Sequence, residues 1–171
     1  MGERPREKKI IVLAGPHTSL VDGVWMVLAA FGLGLRVSYL VKSAYTKGFF
    51  GPLVLWTGGI PVLSGAGANK VAEVIELVNA ADSIEILLAP AGTRKKRDSW
   101  RSGFFHIAKA TNTPIYVSYL DFKAREMGIV SEPVYLSDDT EKDMDKIRAL
   151  YAGKMGKHPE KMTRIYIREE E

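Results

Sequence analysis

Short runs of consecutive apolar residues, separated by stretches with helical spacing, constrain this chain more than any other feature. Residues 10–14 (Ile-Ile-Val-Leu-Ala) and 84–88 (Ile-Glu-Ile-Leu-Leu) are such runs, and each stops at a turn, Gly15-Pro16 in one case and Pro90-Ala91-Gly92 in the other. A strand with so little polar alternation has no face to give to water. It belongs inside a sheet covered on both sides, the usual state of parallel strands in α/β proteins. Helical segments between the runs supply the covering layers, and residues 69–80 place Val71, Val74, Ile75 and Val78 on one face.

The remaining segments continue the alternation. Helices are predicted over 20–31, 50–56, 103–111 and 139–151, and strands over 36–41, 60–62, 114–120 and 128–136, with a further extended stretch at 164–167. Pro61 marks 60–62 as an edge-like strand, and the run at 84–88 reads as a central one. Residues 23–35 carry no charge and predict a buried helix. The order argues an α/β fold with a mostly parallel or mixed sheet flanked by helices, whose functional loops lie beyond the carboxyl ends of the strands. The chain reads as one domain over 1–171, with a charged arm at 1–9 and a charged tail at 153–171.

With 171 residues, 46% of them hydrophobic, the chain can bury a sizeable core. It has no cysteine, which excludes disulfides, thiolate metal sites and a cysteine nucleophile. The N-terminal sequence lacks an apolar signal core and the Ser or Thr of a myristoylation signal, so a cytoplasmic location is expected. The 13 residues at 23–35 are too few for a membrane span, which takes about 20. Residues 48–69 run uncharged for 22 positions, but six glycines and two prolines break any membrane helix there. Phe49, Phe50, Leu53, Leu55 and Trp56 leave peripheral contact at the inner face of the cell membrane open, with core packing the commoner origin of such a cluster.

Two motifs carry chemistry. His17 and Asp22 fall just past the first strand, and Ser19-Leu-Val-Asp22 reads as a capping box that puts Asp22 in the first turn of the next helix, facing back toward His17. A base with a carboxylate to orient it suits acyl or phosphoryl transfer. A helix cap beside an ordinary loop histidine explains the same residues, and this segment alone leaves both readings open. Beyond the 84–88 strand, Gly92 permits close backbone approach, Thr93 offers a hydroxyl, and Arg94 can grip a phosphate or carboxylate through two parallel hydrogen bonds.

Residues 94–101 hold Arg94, Lys95, Lys96, Arg97 and Arg101 against Asp98, an excess of four that equals the formal charge of +4 on the whole chain. A local anionic partner fits this loop better than nucleic acid, for which stacking aromatics and a recognised motif are missing. Of the other histidines, His106 on an apolar helix reads as structural and His158 as exposed. Their dispersal gives no metal-ligand spacing, so no metal is predicted. Asp121, at a strand end, suits turn formation and a functional role equally.

The motifs together resemble the glycerophospholipid acyltransferases, the family of 1-acylglycerol-3-phosphate acyltransferase. His17-Thr-Ser-Leu-Val-Asp22 is similar to the family's HxxxxD motif, Thr57-Gly-Gly-Ile-Pro-Val62 to its second block, and Pro90-Ala-Gly-Thr-Arg94 to its Pro-Glu-Gly-Thr-Arg block. Residues 100–108 and 113–121 resemble the family's helix after that block and the strand of its fourth block, so four ordered blocks span roughly residues 10–135. The likeness is greatest to short bacterial members without an N-terminal membrane hairpin. Where the family usually has an acidic residue and an arginine after the second block, this chain has Leu63 and Ser64, and it has Ala91 in place of a glutamate.

The resemblance implies a glycerol-phosphate acyltransferase-like fold and transfer of a fatty acyl group from acyl-CoA or acyl carrier protein to a hydroxyl or amine of a lysophospholipid-like or other small acceptor. His17 would be the general base and Asp22 its orienting partner. Gly58 and Gly59 would be candidate oxyanion donors, and Gly92, Thr93, Arg94, Lys95, Lys96 and Arg97 would hold substrate phosphates. Phe49, Phe50 and Trp56 are acyl-groove candidates. No cofactor is implied beyond the thioester donor. The departures at Leu63, Ser64 and Ala91 keep three readings open: another acceptor, a weakened enzyme, or a deliberate substitution at position 91. An acyl-lipid or carrier-protein binding module and a thioesterase stand as alternatives.

Overall fold

A computed structural model describes residues 4–62 and 68–170, so Leu63 and Ser64 lie outside the described residues. Six strands, β1 (Lys9–Gly15), β2 (Val37–Lys42), β3 (Gly59–Val62), β4 (Ile84–Leu88), β5 (Ile115–Asp121) and β6 (Glu126–Ile129), form one sheet in the order β3-β2-β4-β1-β5-β6. Every pairing is parallel except β5 with β6. The two apolar runs become neighbours at the centre, with Leu13 opposite Leu88, and β3 with its proline lies at the edge.

Alternation along β1 divides the core in two. Ile11 and Leu13 point to the face covered by α3 (Ala68–Ala80), α4 (Gly103–Thr111) and α5 (Thr140–Leu150), where they join Val74, Val78, Phe104, Ile107, Met144 and Ile147. Val71 and Ile75 pack against the same cluster, completing the helix face read from the sequence. Ile10, Val12 and Ala14 point the other way, to α1 (Leu20–Gly32), which contributes Met26 and Ala30.

Two expectations are corrected. The apolar segment 23–35 forms a helix that is buried on one side only: Val24, Trp25, Leu28 and Phe31 are exposed, together with Leu20 and Val21. Among the described residues α1 keeps this outer side largely uncovered, with Trp56 stacked on Phe31. The strand expected over 128–136 covers only Glu126–Ile129, because Pro133 has no N–H for a ladder, and the chain returns to the sheet at a single pairing of Val134 with Ile115. The stretch 164–167 joins no strand; Trp100 N donates to Tyr166 O at 2.8 Å and Ile167 is wholly buried.

Phe49, Phe50 and Trp56, for which the sequence left a surface ridge, an acyl groove and core packing open, stand on the surface. Phe49 is 93% and Trp56 78% exposed. Phe49 and Phe50 precede the short helix α2 (Gly51–Trp56), and Trp56, its last residue, stacks on Phe31 of α1 at 6.1 Å between ring centres. Leu53 and Leu55 extend this ridge. Among the described residues no helix is long and apolar enough to cross a membrane.

Candidate active site

The connections from two neighbouring strands leave on opposite faces of the sheet, and this creates the site. β1 exits into α1 on one face, whereas the chain after β4 passes to α4 on the other. A crevice must open between the carboxyl ends of such a pair. Pro16 and His17 enter it from β1, and Pro90 and Ala91 from the loop after β4.

Ser19 caps α1 as the sequence predicts, its hydroxyl accepting from Asp22 N at 3.3 Å. The Asp22 carboxylate is wholly buried and accepts from Thr18 N at 2.6 Å and Ser19 N at 2.7 Å, with Thr18 Oγ1 at 3.3 Å and a further short bond from the Ser19 hydroxyl. It thereby fixes the backbone just after His17, at Thr18 and Ser19. No hydrogen bond joins it to the histidine: His17 Nδ1 is buried without a partner, and the ring packs toward Gly23. Asp22 reaches His17 through its charge. Burial lowers the His17 pKa, Asp22 partly opposes this, and Arg94 adds to the lowering. The imidazole is therefore held neutral at pH 7, the form that can accept a proton.

Gly92 has φ of +63° and donates its N–H to Ala89 O at 2.9 Å, closing the turn after β4, and a Cβ there would meet Arg101. The loop beyond is exposed from Arg94 to Arg97 and borders the cleft without lining it. Thr93 Oγ1 accepts from Lys95 N at 3.3 Å, and Arg97 N donates to Thr163 Oγ1 at 3.1 Å. Ala91, where the resemblance expects a glutamate, is buried and forms part of the cleft wall.

Gly58 and Gly59 lie elsewhere. Gly59 pairs with Tyr39 at the start of β3, not at a carboxyl end, and Gly58 N already donates to Leu55 O at 3.0 Å. With φ of +96° and a virtual Cβ only 2.1 Å from Val37 O, Gly58 serves the close approach of α2's exit turn to β2.

Sequence reading missed the far wall. Trp100, Tyr151, Lys154, Lys161, Met162, Thr163 and Ile165 complete the cleft. Tyr151 is buried against Gly15 and donates to Leu13 O at 2.9 Å, edge-on to Trp100 at 5.5 Å. Beyond Trp100 no motif marks these residues, because only the return of the chain after α5 brings them near β1. Asp121 proves to be a turn former, its Oδ1 accepting from Lys123 N, Ala124 N and Met155 N. His106 is hydrogen-bonded to Glu169 at 2.8 Å, and His158 is half-exposed beside Glu160.

No curated protein and no solved structure matches the chain. The sequence model of the family described as Acyltransferase matches residues 2–120, which include β1 to β4, the His17 loop and the turn after β4. With that match over most of its length, and with His17 set against the Pro90–Arg94 turn in one crevice, the chain belongs to the acyltransferase family, the glycerophospholipid acyltransferases.

Proposed function

We propose that the protein moves a fatty acyl group from a thioester, acyl-CoA or acyl carrier protein, to a hydroxyl or amine of a lysophospholipid-like or other small acceptor. The observation that carries the reading is a neutral, desolvated His17 in the wall of a cleft faced by a cationic loop. His17 takes the acceptor proton as the acceptor oxygen or nitrogen attacks the thioester carbonyl. The tetrahedral intermediate collapses, the carbon–sulfur bond breaks, and the imidazolium returns the proton to the leaving thiolate. The products are the acylated acceptor and the free thiol. Asp22 favours the imidazolium through its charge and keeps the loop in place. Arg94 opposes the imidazolium, so the proton is passed on readily.

Lipid substrates would be met at a membrane surface. The exposed ridge of Trp25, Leu28, Phe31, Phe49, Phe50 and Trp56 supports this, because it begins on the helix that follows His17 and no Asp or Glu occurs from residue 23 to 72. An apolar face with cations and no anions suits the interface of an anionic bilayer.

The competing reading, an acyl-lipid or carrier-protein binding module, is favoured by Ala91 and by the missing His17–Asp22 hydrogen bond. Release of free thiol from acyl-CoA separates the two. The protein has no cysteine to contribute background. Thiol release that requires an added alcohol or amine supports transfer, release without acceptor indicates a thioesterase, and release no greater than that of His17→Ala sinks both enzymes. Ala91→Glu tests whether position 91 limits turnover.

A further inference from the structure

We propose that Lys154 and Lys161, on the segment that follows α5, form the receptor for an anionic phosphate or pyrophosphate group of a substrate bound in the His17 cleft. This rests on the acyl-transfer reading and specifies which wall of the cleft holds the charge. Among the described residues the cleft lining contains no carboxylate: apart from His17 and the buried Tyr151 phenol, its ionisable side chains are these two lysines. Among the described residues neither is in an ion pair. Lys154 lies over the Tyr119 ring, 4.1 Å from its centre, and near enough to Asp121 to act on it; Lys161 is exposed.

The segment is fastened to the catalytic loops, so the lysines are held and not merely near. His158 N donates to Thr18 Oγ1 at 3.1 Å, one residue from His17. Gly156 packs so tightly that a Cβ would lie 2.9 Å from Thr18 Cγ2 and 3.2 Å from Pro16. Met155 bonds at both ends, its N–H to Asp121 Oδ1 at 3.3 Å and its carbonyl accepting from Phe122 N at 2.8 Å. Thr163 accepts from Arg97 N at 3.1 Å, which joins this wall to the basic loop. Lys154 and Lys161 bracket the attachments at Met155, Gly156 and His158. The buried Asp22 carboxylate is committed to Thr18 and Ser19, and Asp121 to the amides of Lys123, Ala124 and Met155.

Two cations between apolar walls of Trp100, Met162 and Ile165 focus their field into the cleft and favour a group of high negative charge. Ala91 leaves the facing wall without the carboxylate that would otherwise compete for them. The family match ends at residue 120, so this receptor belongs to the part of the chain that the match does not cover. Its ligand is a phosphate of the acceptor or of the pantetheine-bearing donor.

The test is equilibrium binding of free coenzyme A and of glycerol 3-phosphate to the full chain, by calorimetry at low and high salt. Wild type is compared with Lys161→Gln, with Lys154→Gln/Lys161→Gln, and with Arg6→Gln/Lys8→Gln, which removes equal charge from the N-terminal arm. The expected result is about fivefold weaker binding in the single variant and about twentyfold or more in the double, with a flatter salt dependence, and the control within about twofold of wild type. Loss of coenzyme A binding alone places the donor's phosphate between the lysines, loss of glycerol 3-phosphate alone places the acceptor's, and loss of both indicates one shared receptor. Equal affinity of wild type and double variant for both probes overturns the proposal, as does absence of binding to wild type. Thermal midpoints confirm folding, and the exposed Lys161 can be removed without disturbing packing. Because binding is read without turnover, intact lysine-dependent binding in a protein that never transfers an acyl group would overturn the proposed reaction and leave the receptor standing.

Discussion

At His17, burial outweighs the attraction of Asp22 for the imidazolium, and Arg94 pushes the same way as burial. The base is neutral above its pKa, which lies below the ordinary 6.5, so kcat/KM should be flat near neutral pH and fall only as pH drops through the lowered value. Arg94→Ala removes a positive charge that disfavours the imidazolium, which raises the pKa and moves the acid limb to higher pH. Asp22→Asn removes a negative charge and moves it lower. A pH–rate profile checks both signs. Without the imidazole, His17→Ala should lose about 10²- to 10⁴-fold in turnover.

The same loop shows what single residues disclosed. The capping box was readable from Ser19 and Asp22 because its partners are three residues apart. The relation of Asp22 to His17 was not, because it depends on which groups reach the buried carboxylate first, and the Thr18 and Ser19 amides do. Ser19→Ala should cost about 1 kcal/mol in urea denaturation, the usual worth of such a cap.

Apart from the strand expected over 128–136, elements formed where periodicity placed them, and their exposure followed other rules. Apolar spacing marked α1 and α2 correctly, yet composition could not say that α1 has a layer on one side only, which leaves Trp25, Leu28 and Phe31 outside. A ridge that stabilises little in the monomer can be changed cheaply. Phe49→Ser/Trp56→Ser should leave the thermal midpoint within a few degrees of wild type while reducing cosedimentation with anionic phosphatidylglycerol vesicles several-fold. Unchanged sedimentation would count against membrane contact. Gly58 behaves in the opposite way: Gly58→Val needs a left-handed backbone and drives Cβ into Val37 O, so it should destabilise by at least ~2 kcal/mol by denaturant titration.

For the whole molecule, stability and site both depend on the segment after α5. Ile167 is wholly buried in the larger core cluster although no helix or strand contains it and the family match ends well before it. Ile167→Ala should therefore cost about 2–4 kcal/mol, the usual penalty of a core cavity, and lower the thermal midpoint by several degrees. A surface tail would show no such loss.

Local sequence was enough to settle the alternation of strands and helices, the central place of residues 10–14 and 84–88, and the position of His17 and Arg94 beyond strand ends. Each of these depends on residues close in the chain and on whether a side chain tolerates water. Only packing across the fold settled that the connections after β1 and β4 part to open a cleft, that Gly58 and Gly59 serve packing, that the aromatic ridge faces outward, and that Lys154 and Lys161 return to His17. Those outcomes depend on contacts between segments far apart in the chain, such as His158 with Thr18 and Tyr151 with Leu13, and no local pattern encodes them.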